Sequence, residues 1–155
     1  MQQQPVSNIK TLTILHFSLL VGQIVFAAIA YYLFASGTMK AVTTTDNAKY
    51  IVMGVSAFGL LMVILSFAVY KKKTETIRNS IVSNRDKLVG YRAANLIRWA
   101  MLEAPVLVAI IAFMLTGHYN FLMLAGAVLV LFVSTRPTVS KAAAELGISE
   151  EDANN

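Results

Sequence analysis

The sequence has no cysteine, three prolines and little charge, with only 14% of its 155 residues being Asp, Glu, Lys or Arg. The absence of cysteine excludes disulfides, thiolate metal sites, cysteine nucleophiles and thiol redox chemistry. The scarcity of charge, about half the roughly 25% of a soluble domain, excludes disorder and an ordinary cytosolic enzyme. Also missing are a phosphate-binding glycine loop, G-x-S-x-G, H-E-x-x-H and a pair of catalytic carboxylates, so no motif supports enzymatic chemistry or a cofactor. His118 has no second His, Asp or Glu nearby, which leaves it a turn residue and the chain without a metal site. What is present is apolar: 57% hydrophobic residues and a mean hydropathy of +0.64, the make-up of a lipid-solvated chain.

Three long uncharged stretches define the spans. The first is densest over residues 11–34, 24 residues or about 36 Å of helix, enough to cross a hydrocarbon core about 30 Å thick. Alanines 28 and 30 also make an A-x-A cleavage pattern, but the run exceeds a signal-peptide core of roughly 7 to 15 residues, so a retained helix is expected. The second span is 50–70, bounded by Lys49 and Lys71, with Tyr50 and Tyr70 at its edges. The stretch between Glu103 and Arg136 is 32 residues long, too much for one crossing, and its only turn signal is Gly117-His118-Tyr119-Asn120. Spans at about 97–116 and 120–135 follow, the third recruiting residues upstream of Glu103 and placing Arg98 and Trp99 at the headgroups.

Charge fixes the expected orientation. Eight of the 13 Lys and Arg lie in 71–98, one precedes the first span and two follow the fourth, so four crossings put 11 on one side against Lys40 and Lys49 on the other. Both termini are then cytoplasmic. The expected fold is an all-α integral membrane four-helix bundle of two helical hairpins: a membrane domain over 1–135, a basic loop over 71–96 and a cytoplasmic tail over 136–155.

The basic segment carries Lys71, Lys72, Lys73, Arg78, Arg85 and Lys87, which suit contact with anionic lipid headgroups. Ile77, Ile81 and Leu88 share a helical stripe that could lie in the headgroup plane, although helical extensions of the flanking spans account for the segment more simply. In the tail, Val139, Ala142, Ala143 and Leu146 form an apolar face before Gly147, which suits docking on the bundle or on a partner. The same segment resembles the first helix and turn of a helix-turn-helix reader. Only six residues follow Ser149, three of them acidic, so no nucleic-acid partner is expected.

Polar residues at membrane depth are the functional leads. Glu103 would cost several kcal/mol if ionised in hydrocarbon without a partner. Pro105, two residues on, cannot donate to the Met101 carbonyl and promotes a kink. His16 lies at a depth similar to that of Glu103, and Gln23 is one heptad further along the same face. Two readings follow: interhelical hydrogen-bonding glue, or a protonatable site built on Glu103 with His16. Gly22, Ala27, Ala30, Gly54, Ser56, Gly59, Ala125, Gly126 and Ala127 offer small packing surfaces, without a strict G-x-x-x-G.

The string Arg98-Trp-Ala-Met-Leu-Glu-Ala-Pro, with Leu115-Thr-Gly117 and Arg136-Pro-Thr138, resembles a family of uncharacterised small bacterial four-helix membrane proteins over roughly residues 92–147. That resemblance implies an inner-membrane location and no particular activity. Glu103-Ala-Pro-Val-Leu-Val-Ala-Ile-Ile-Ala112 is similar to the ion-carrying helix of rotary ATPase proteolipid subunits, which implies an ion-binding carboxylate. Their glycine-rich inner helix has no counterpart, since spans one and four hold one glycine each and span two holds two. The sequence therefore points to a non-enzymatic accessory, assembly or regulatory membrane subunit, in a homo-oligomer or bound to a larger membrane protein. The alternative is a small proton-coupled or ion-conducting protein using Glu103.

Overall fold

The computed structural model describes residues 9–42 and 45–154, and all of its regular structure is helical: α1 (Ile9–Ala35), α2 (Thr45–Arg78), α3 (Asn84–Thr116), α4 (Asn120–Ser134), α5 (Val139–Leu146) and α6 (Glu150–Asn154). The part of the expected 1–135 domain before residue 9 lies outside the described residues. Three helices, α1 to α3, are long and apolar enough to cross a membrane. A fourth crossing requires the 15-residue α4, which meets the length criterion only when joined to α5 across a 75° bend.

The packing order follows from which faces carry continuous apolar or small residues. On α1 the buried positions Ile9, His16, Gln23 and Ala30 fall seven apart, with Leu12, Leu19 and Phe26 three residues after the first three. A seven-residue spacing keeps one stripe against a neighbour along the whole helix, the geometry of left-handed packing at a shallow angle. On α2 the corresponding stripe is Val52, Val55, Gly59, Val63, Ser66, Tyr70, Thr74 and Ile77. Both stripes meet α3, which packs against every other helix and has half of its apolar window buried, against 17% for α1 and 11% for α2. The outer faces of α1 and α2 carry exposed Ile14, Phe17, Ile24, Leu60 and Ile64, as a surface solvated by lipid does.

Among the small residues, Ala30, Gly59 and Ala125 serve the interior, and Pro105 lies 3.7 Å from where a Cβ on Gly59 would stand. Gly22, Gly54, Ser56 and Ala127 instead lie on exposed surface. Helix α3 continues through Pro105 to a left-handed Gly117, whose N–H donates to the Phe113 carbonyl at 2.7 Å. The turn at 117–119 thus sits where the sequence places it. Val42 N–H donates to the Leu115 carbonyl at 2.9 Å, tying the α1–α2 connection to the same end of the bundle.

The basic segment 71–96 takes the simpler of the two forms read in the sequence, helical extensions of the flanking spans joined by a short turn. Helix α2 runs on to Arg78 and α3 begins at Asn84, so the segment is a helical hairpin closed by residues 79–83. Leu88 is buried and Ile77 packs on the core, whereas Ile81 in the turn is fully exposed, so the three do not act as one membrane-facing stripe. Ser83 caps α3: its Oγ accepts from Asp86 N at 3.2 Å and donates to Asp86 Oδ2 at 2.6 Å. Lys87 Nζ donates to the Arg78 carbonyl, covering the end of α2. Ser83→Ala is expected to cost about 1 kcal/mol, read by urea unfolding in micelles with far-UV circular dichroism. An unchanged midpoint would mean that the hairpin is held by its tail contacts rather than by its cap.

Candidate functional site

The charged end of the molecule is built by four segments: the last turns of α2, the first turns of α3, the 135–138 connection and α5. Thr138 caps α5 by accepting from Lys141 N, and Pro137, lacking an N–H, suits the break that turns the chain by 75°. The bend lays Ala142, Ala143 and Leu146 onto α2 and α3, and Ala153 of α6 is buried as well. The apolar tail face read in the sequence therefore docks on the protein's own hairpin. Asn84 Nδ2 donates to Asp152 Oδ2 at 3.1 Å and fastens α6 to the start of α3.

Arg98 lies beneath this tail. It is 3% exposed, and Trp99 is fully buried, so neither side chain is an anchor on the outer surface of the protein. The reason is local: the tail closes over Arg98, while α1 and α4 close over Trp99. Arg98 Nη2 donates to the Thr135 carbonyl at 3.2 Å, and the guanidinium carbon stands 4.0 Å from the centre of the Tyr70 ring and 5.5 Å from that of Phe67. These are cation–π distances in a desolvated setting. Tyr70 Oη donates to Glu145 Oε2 at 2.5 Å. Lys141, on α5, is held below its ordinary pKa by burial and then by the nearby Arg98 charge. The unfolded chain therefore binds more protons at Lys141 than the folded one between the lowered value and the ordinary 10.5, and its contribution to stability rises with pH across that window.

A cleft of about 410 Å³ opens between α2, α3 and α5, lined by Tyr70, Lys71, Glu75, Arg78, Arg98 and Glu145 among others. Lys71 and Glu75 form an exposed pair at 3.9 Å, worth under about 1 kcal/mol. Of the expected lipid-contact residues, Lys71, Lys72, Lys73, Arg78 and Arg85 are exposed on the hairpin, and Lys87 is half-buried with its ammonium on the Arg78 carbonyl.

The intramembrane polar residues part company. His16 Nε2 hydrogen-bonds the Phe132 carbonyl at 2.9 Å and lies 3.4 Å from Thr135 Oγ1. Its ring stacks on Phe132 at 4.6 Å and leans on Trp99 at 5.0 Å. His16 thus joins α1 to the end of α4, the arrangement of an interhelical tie. Gln23 is 2% exposed in the same stripe, with both amide atoms unpartnered among the described residues. Glu103 is half-buried one turn beyond Trp99 and makes no hydrogen bond or ion pair among the described residues. His16 meets Trp99, one turn before Glu103, and makes no bond to Glu103.

Arg98 is the residue that sequence reading undervalued. Its signal was present, since a cation immediately before a tryptophan at the start of a span can be either an anchor or a buried centre, and only the tail decides between them. Among the described residues no group of three or more His, Asp or Glu could hold a metal ion. Long apolar helices around a buried α3 define an all-helical multi-pass membrane protein. No protein family, curated protein or solved structure matches the chain.

Proposed function

We propose that this chain is a non-enzymatic subunit of a larger membrane assembly, acting as an accessory, assembly or regulatory component. It would form a four-helix bundle in a bacterial inner membrane, with both termini and the basic hairpin in the cytoplasm. The observation that carries the reading is Glu103. A carboxylate at membrane depth, half-buried and unbonded within its own chain, stands several kcal/mol above one with a donor, so a donor from a neighbouring chain is favoured there. His16 does not fill that role because its ring nitrogen is already on the Phe132 carbonyl.

The same observation supports a second reading, in which Glu103 is a proton or ion carrier that charges and discharges at the lipid edge. Two substitutions separate the readings. In gently released native membranes, mass spectrometry should find the wild type and Glu103→Gln bound stoichiometrically to a larger protein, with Glu103→Leu reducing that association by about tenfold or more. Many identical copies together with a proton flux abolished by Glu103→Gln would establish the carrier instead. Full association of Glu103→Leu would remove Glu103 from the interface, and a flux unchanged in Glu103→Gln would remove it from the carrier.

A further inference from the structure

The guanidinium of Arg98 is under-compensated by its own protein. It has five N–H donors, and one of them, on Nη2, reaches a neutral carbonyl at 3.2 Å, while the buried Nε has no partner among the described residues. Aromatic faces at 4.0 and 5.5 Å offset part of the desolvation, but an arginine 97% removed from solvent ordinarily has a carboxylate or phosphate on its fork. Glu145 Oε2 accepts from Tyr70 Oη, and no salt bridge to Arg98 is present among the described residues.

Arg98 forms part of the wall of the 410 Å³ cleft, and two further cations, Lys71 and Arg78, line it. Counting every charged side chain that lines the cleft, Lys71, Arg78 and Arg98 stand against Glu75 and Glu145, three positive against two negative. Lys141 on α5 adds a further cation close to Arg98. The cleft also sits where the apolar part of α2 gives way to its basic end, which is the level of a bilayer's phosphates.

We propose that this cleft is a binding site for a phosphate group, with Arg98 in its wall and Arg78 and Lys71 at its rim. The planar forks of the two arginines suit a tetrahedral oxyanion, which can accept from both and from the lysine at once. Tyr70 keeps Glu145 turned to its hydroxyl and so restrains the internal acid that would compete for Arg98. The phosphate belongs either to an anionic phospholipid or to a soluble ion or ester, and the site holds whether or not the chain has a protein partner.

The test uses the full chain in a non-ionic detergent, titrated separately with phosphatidate, phosphatidylcholine and inorganic phosphate, and read by native mass spectrometry and calorimetry. One phosphatidate should be retained in preference to phosphatidylcholine. Arg78→Gln, at an exposed position that leaves the fold intact, should weaken it about tenfold, and Arg98→Lys at least as much. Glu145→Gln, which still accepts from Tyr70, should tighten it several-fold. The same ranking with inorganic phosphate, and no dependence on the lipid, assigns the site to a soluble phosphate. Equal binding of phosphatidate and phosphatidylcholine, with no phosphate binding, overturns the proposal, as does wild-type affinity in a folded Arg78→Gln protein. Should Arg98→Lys fail to fold, Arg78→Gln and Glu145→Gln decide.

Discussion

Trp99→Ala is expected to lose about 3 kcal/mol of stability. Trp99 is fully buried, with the His16 ring at 5.0 Å and the Phe132 ring at 6.5 Å. In lipid the loss does not come from exposing apolar surface to water, since the surrounding tails are as apolar as the core. It comes from dispersion contacts forfeited around a void that lipid cannot reach, because α1, α3 and α4 all border it. The His16 tie to the Phe132 carbonyl would loosen with the ring that backs it. Reversible unfolding in mixed micelles, followed by far-UV circular dichroism, reads the change, and Trp99→Phe should recover more than half of it. Because Trp99 is the only tryptophan, its emission supplies a second check. It should be blue-shifted and resistant to iodide, whereas a headgroup tryptophan would be readily quenched.

The second large effect lies at the opposite end of the bundle. Gly117 has a φ of +70°, and a Cβ placed on it would stand 2.3 Å from Cζ of Phe34. Gly117→Ala therefore meets two costs: about 1 kcal/mol or more for an L side chain in the left-handed region, and about 1–3 kcal/mol to move a packed ring. The Phe34 ring cannot swing away cheaply, since it rests on Phe113 at 5.2 Å. A total loss of about 2–4 kcal/mol is expected in the same unfolding assay. The diagnostic feature is coupling: in a double-mutant cycle, Gly117→Ala should cost markedly less on a Phe34→Ala background. Strict additivity would show that the contact between α1 and the α3–α4 turn is absent in the membrane.

What could be read from the sequence, and what could not, follows from the kind of signal each feature leaves. The first span, expected at 11–34, is helix over Ile9–Ala35, because absence of charge for a membrane's width is a direct physical requirement. The 117–120 turn was legible for the same reason: 32 uncharged residues must fold back, and one cluster offers a turn. At the hairpin, charge from Lys71 onward ends the lipid-soluble stretch, and helical extension of both flanking spans was the simpler reading; what hydropathy left open was where the turn falls, which Arg78 and Asn84 bound.

Depth and direction also separate cleanly. Helical rise places His16 and Glu103 at one level, but which way each points around its helix depends on packing. Trp99, one turn before Glu103, is the residue that meets His16. The heptad step from His16 to Gln23 was legible, and the packed stripe extends it to Ile9 and Ala30. The choice between anchor and buried centre for Arg98 could not be made from its local sequence, since it depends on a carbonyl 37 residues later and on a helix beyond that.

That separation in the chain has a bearing on biogenesis. Arg98 enters the membrane region as part of α3, before Thr135 has been made and before α5 exists to cover it. During synthesis the guanidinium must therefore rest on Tyr70, Phe67, water and whatever anions the bilayer surface offers. Arrival of the segment after α4 then adds a carbonyl and a helical cover to the two aromatic faces. A nascent chain stalled before that point therefore carries a cation that the finished protein covers.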